Sequence, residues 1–165
     1  PPPVPYTTPF RFLGAGEQSI ILRKGGIAEG REGFAFRHRE FFLFPTFFHE
    51  QIEKTRLSKA TLPNRRDGEI ELRLLAKLEI AKWITSAEIA DSLKPLHILK
   101  SEIVRERFEY DNTTGLHVAF VRIFRLQPVW VLGDAKSLAC CRSWVELHAP
   151  PSALGLQAVL SEAGT

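Results

Sequence analysis

The stretch Glu69-Ile70-Glu71-Leu72-Arg73-Leu74-Leu75-Ala76-Lys77-Leu78-Glu79-Ile80 sets the fold class of this chain. Ile70, Leu72, Leu74, Ala76, Leu78 and Ile80 share one parity. Glu69, Glu71, Arg73, Lys77 and Glu79 occupy the other, and Leu75 is the one exception. Successive side chains of a strand point to opposite faces, so this alternation predicts a long strand with one face toward water. A helix competes, because Glu, Leu, Arg, Ala and Lys are strong helix formers and Leu72, Leu75 and Ala76 fit i, i+3, i+4; Glu79 then breaks that helical face at i+7.

Upstream, Ile20-Ile21-Leu22 and Phe41-Phe42-Leu43 are short apolar runs bounded by Gly and Pro, which predicts two buried strands. Phe10-Arg11-Phe12-Leu13 reads as a further strand, paired with Ser19 to Lys24 across a turn at Gly14 to Gln18. After Pro45, Thr46 is placed to cap a short helix with Phe48 and Ile52 on one side. Leu57 to Gly68 is a polar loop. Downstream, Thr85-Ser86-Ala87-Glu88 has the S/T-x-x-E form of a capping box and opens a helix through Leu93 that Pro95 stops. A second helix is expected over Leu96 to Val104. Arg105 to Tyr110 and Leu116 to Leu126 are expected to form a hairpin about Asp111 to Gly115, with short strands at Val129 to Leu132 and Trp144 to Leu147. The Pro-rich residues 1–9 read as a disordered tail, 10–148 as one globular domain, and 149–165 as a loosely ordered tail.

The 165 residues are 44% hydrophobic and 25% charged, ordinary for one globular domain with a sizeable core. A net charge of +3 is too small for a purely electrostatic binder, so a nucleic-acid partner has to be argued from clustering of cations. No apolar run approaches the ~20 residues that span a bilayer, so no membrane partner is expected and a cytoplasmic location is the expectation. The chain has no Met, which suggests that its first residue is not the natural start. Cys140 and Cys141 are adjacent; they read as reduced thiols and cannot supply four zinc ligands by themselves.

Three blocks carry a resemblance: Ile20-Ile21-Leu22-Arg23-Lys24-Gly25-Gly26-Ile27, Phe41-Phe42-Leu43-Phe44-Pro45-Thr46-Phe47-Phe48-His49-Glu50, and Gly115-Leu116-His117-Val118-Ala119-Phe120-Val121-Arg122-Ile123-Phe124-Arg125-Leu126. Over roughly residues 10 to 148 the chain resembles the bacterial family catalogued as domain of unknown function 1802. More distantly, the succession of strands and paired helices resembles the PUA-like β-barrels, including ASCH and EVE domains. That resemblance implies an α+β fold, a small and mostly antiparallel β-barrel with two or three short helices, and binding of RNA or of modified bases.

Arg23 and Lys24, followed by Gly25-Gly26, combine cationic side chains with backbone that allows close approach, and are candidate phosphate contacts. Arg37, His38 and Arg39 form a cationic triplet on a connecting segment; arginine suits bidentate contacts, while a solvated loop is the plain alternative. His38 and His49 are candidates for base or sugar contacts. Trp83, at the end of the long strand, is the candidate stacking residue; the phenylalanines Phe34, Phe36, Phe41, Phe42, Phe44, Phe47 and Phe48 are expected mostly in the core. His38, His49, Glu50, His97, His117 and His148 show no H-E-x-x-H or H-x-H spacing, and no metal, cofactor or catalytic residue is assigned.

These readings favour a non-catalytic nucleic-acid-binding module. A metal-dependent nuclease of a restriction or defence system is the enzymatic alternative. It has carboxylates at Asp67, Glu69 and Glu71, but Glu71-Leu72-Arg73 places Arg where an E-x-K motif needs Lys, and Glu79-Ile80-Ala81-Lys82 is one residue too long. A protein-interaction module built on an apolar patch near Phe47 and Phe48 is the third class.

Overall fold

The computed structural model describes residues 4–6, 10–24, 35–45, 69–110, 113–133 and 144–160. The strands are β1 (Val4–Tyr6), β2 (Ile20–Arg23), β3 (Glu40–Pro45), β4 (Glu69–Ile84), β5 (Leu116–Gly133) and β6 (Gly155–Ala158). The helices are α1 (Phe10–Ala15), α2 (Ala87–Ser92) and α3 (Ser101–Glu109), with a 3₁₀ turn at Lys94–Leu96. The fold is α+β.

β4 and β5 are the frame, paired antiparallel from Ile84 opposite Leu116 to Glu69 opposite Gly133. β3 lies antiparallel on the free edge of β4, and β1 extends it in parallel. The other edge of β5 is shared: β2 pairs with its first part, Ile20 opposite Phe120, and β6 with its later part, Phe124 opposite Ala158.

The expected long strand is therefore present, and the exceptional Leu75 has a cause. Pairing slips between Leu72 and Leu74. A bulge adds a residue and exchanges the faces of everything beyond it. Ile70, Leu72 and Leu75 consequently share one core with Phe42, Phe44, Leu126 and Trp130. Leu74 and Ala76 face the other way, into a core with Leu13, Ile21, Phe41, Leu43, Ala119, Val121 and Ile123. A second slip, between Leu78 and Ile80, exchanges the faces again, and the far end of the sheet packs Ile20, Leu22, Leu116 and Val118 beneath the helices.

Apolar side chains are thus buried on both faces of the sheet, and closure is not needed to cover them. This corrects the barrel expectation: among the described residues the sheet is open, with β1 at one side and β2 and β6 at the other.

Ser86 caps α2, its hydroxyl accepting from Ile89 N at 3.3 Å, one residue after the expected Thr85. Val104 and Phe108, four apart on α3, reach the core beneath the helices. Arg105 to Tyr110, expected as a strand, belongs to α3 and its final turn, because burying Val104 and Phe108 together requires the helical spacing of four. Phe10 to Leu13 is likewise helical. The helix ends at Gly16, whose φ of 78° suits glycine, and Gly16 N donates to Leu13 O at 3.2 Å. Trp144 to Leu147 is irregular, and two segments assigned to tails contribute strands β1 and β6. The expected helix after Thr46 lies outside the described residues.

Candidate nucleic-acid interface

Arg23 on β2 stands opposite His117 on β5, and His117 stands opposite Trp83 on β4. The next row inward on the same face is Ile21, Ala119 and Ala81, of which Ile21 and Ala119 belong to the central core. A cation, an imidazole and an indole therefore form one row across three strands, just past the edge of that core. The Trp83 and His117 rings meet edge to face, 4.7 Å between centroids and 62° between planes. Trp83 keeps 39% of its surface exposed, which makes it available to a ligand.

Lys24 is next along the chain and plays a different part from the one expected. It is only 9% exposed, and its ammonium donates to Phe108 O at 3.2 Å, to Gly115 O at 2.9 Å and to Thr113 O. Phe108 lies in the last turn of α3, where the helix dipole favours a cation, and its carbonyl also accepts from Gly115 N at 2.9 Å. The same Nζ lies over the Trp83 ring, 5.1 Å from its centroid. Lys24 thus spends its three protons on backbone carbonyls, which differs from the phosphate contact expected of it.

Gly115 completes the support of the indole. Its φ is 147°, and a β-carbon there would overlap Trp83 Cζ2 and Cε2 and stand 2.9 Å from Ile84 O. Only glycine lets β5 begin this close to the end of β4. Burial lowers the pKa of His117 below its ordinary 6.5, and the charge of Lys24 lowers it further. The imidazole is neutral at neutral pH, with one donor and one acceptor nitrogen.

Arg37, His38 and Arg39 lead into β3. Phe36 packs on the central core, and Trp144 packs there too, donating its indole N–H to Ala35 O at 3.2 Å. This segment therefore lies on the same sheet face as the Arg23–His117–Trp83 row. Arg37 and Arg39 are exposed, and His38 is half-buried edge-on against Trp144 at 4.8 Å. That contact gives His38 a packing role. Phe41, Phe42 and Phe44 are core. His49, Glu50, the Phe47/Phe48 patch, Asp67 and the cysteine pair lie outside the described residues.

The structure therefore brings Arg23, Lys24 and Trp83 together and adds His117, which the sequence raised only as a metal ligand. Its signal was available: counting by two from His117 leads to Ala119 and Val121, and that parity places it on the central-core face. Among the described residues no three His, Cys, Asp or Glu side chains gather as a metal site. Glu71 is ion-paired with Arg73. No described helix is long and apolar enough to cross a membrane.

No curated protein and no solved structure matches this chain. Residues 8–164, nearly the whole chain, match the family described as "Domain of unknown function (DUF1802)". The chain belongs to that family.

Proposed function

We propose that this protein is a non-catalytic nucleic-acid-binding module whose sheet is of the PUA-like type, with RNA or a modified base as its ligand class. The observation that carries the reading is the Arg23–His117–Trp83 row, which puts a cation and a partly exposed indole on one face of the sheet. Cations supply sequence-independent attraction to phosphate, and an aromatic ring adds roughly 1 to 3 kcal/mol for each base stacked on it. The exposed Arg37 and Arg39 extend positive charge over that face.

The test is binding of labelled single- and double-stranded RNA and DNA at low and high salt, with and without Mg2+. Binding is expected without divalent metal, weaker at high salt, with the strands intact after Mg2+ or Mn2+ is added. Metal-dependent cleavage that disappears on Glu69→Ala or Glu71→Ala replaces the module with a nuclease. Absence of binding at low salt removes both readings and leaves an interaction module.

A further inference from the structure

We infer that Trp83 is a stacking platform for one unpaired nucleobase of a single strand, and that Lys24 positions this platform instead of contacting phosphate. The inference rests on the nucleic-acid reading above and specifies its ligand.

The indole is fixed from within the fold. Gly115 lies against Cζ2 and Cε2, Lys24 Nζ sits over the ring, and the His117 ring packs on it at 62° with 4.7 Å between centroids. Lys24 and Gly115 are themselves joined by the 2.9 Å hydrogen bond from Nζ to Gly115 O. A ring supported in this way presents its exposed surface without losing freedom on binding, which is the condition for strong stacking. The ligand must be planar and must not be a cation. With an ammonium already over the ring and Arg23 two strands away in the same row, a quaternary or methylated amine would meet like charge, whereas a neutral base between phosphates meets opposite charge. The base must also be unpaired. Trp83 lies within a strand, and a duplex hides its base faces in the stack.

Lys24 has no proton left for a phosphate. Its three donors end on Phe108 O, Thr113 O and Gly115 O, and its side chain is buried. Its contribution to binding comes through the ring it holds.

The experiment uses the whole chain with a labelled single strand, the same strand annealed to its complement, and an abasic strand of equal length. Trp83→Leu should lower single-strand affinity roughly 5- to 150-fold, with the dependence on salt unchanged. The abasic strand should bind wild type as weakly as the intact strand binds Trp83→Leu, and the duplex should show no loss on that substitution. Lys24→Met, assayed below its own melting temperature, should weaken binding with an unchanged salt slope, while Arg23→Ala should reduce the slope by about 0.7 if it meets one phosphate of a single strand. Acetylation of wild-type lysines, read by mass spectrometry, should find Lys24 protected equally with and without the strand, whether or not Lys24→Met folds. Unchanged affinity in Trp83→Leu overturns the platform, and a shallower slope in Lys24→Met or ligand-induced protection of Lys24 overturns its positioning role. If Arg37→Ala with Arg39→Ala still weakens binding in those cases, the nucleic-acid reading stands without the platform. If no strand binds wild type at low salt, both fall.

Discussion

Lys24 Nζ lies over the Trp83 ring while donating a 2.9 Å hydrogen bond to Gly115 O, so one ammonium ties the end of β2 to the end of β4 and the start of β5. Its bond to Phe108 O adds α3 to the same knot. Four elements therefore meet at one buried charge, and its removal would take a charged donor from three carbonyls, of which Phe108 O would keep its bond from Gly115 N at 2.9 Å.

Lys24→Met should destabilise the fold by about 2 to 4 kcal/mol, because several acceptors lose a charged donor at once. Denaturant unfolding of the two chains measures this. A difference within about 0.5 kcal/mol would mean that water replaces the ammonium at no cost.

The pH dependence follows from His117. Its pKa in the folded chain lies below 6.5, so on acidification the unfolded chain takes up this proton first. The contribution of His117 is complete above about pH 6.5 and is lost as pH falls from there toward the folded pKa. Wild type should lose stability through that window, and His117→Gln should remove this part of the slope. Equal slopes in urea titrations across the window would exclude His117 as its source.

Gly115→Ala should cost at least about 2 kcal/mol, since it combines a φ of 147° with overlap of the Trp83 ring. Thermal unfolding reads the loss. Single-strand affinity should fall with it, because the ring must move to admit the methyl group.

Arg37→Ala together with Arg39→Ala should leave the melting temperature within about a degree or two of wild type, both side chains being exposed. The double variant should weaken nucleic-acid binding and flatten its salt dependence. Affinity and slope both equal to wild type would remove this segment from the interface.

The sequence carried the long strand β4 plainly, because period two runs through twelve residues with Leu75 as the one exception; the two register slips that divide those residues between opposite faces left no other mark in the pattern. Helix α2 was equally plain, with serine and threonine before it and proline after it. Short elements were harder. Phe10 to Leu13 and Arg105 to Tyr110 fit a period of two or of 3.6 within so few residues, and packing of Leu13, Val104 and Phe108 decided for helix. The site was legible by residue type and not by arrangement: Trp83 and Arg23 were singled out separately and the strand registers put them in one row, yet nothing local to Lys24 announces that its carbonyl partners lie more than eighty residues away. His117 became part of the row only when the registers of three strands were combined.

β5 has two different neighbours end to end on one edge, and this carries a consequence for solubility. β6 covers Phe124 to Gln127, and it is short, with a Gly at one end and Gln157 facing Arg125. A chain cut before Gly155 would lose Val159 from the central core and expose the backbone donors and acceptors of that part of β5 beside Phe124 and Leu126. Bare strand edges invite a second copy to pair. The last strand thus serves as a shield against self-association: size-exclusion chromatography should show the shortened chain shifting toward oligomers with rising concentration, under conditions where the full chain elutes at one position.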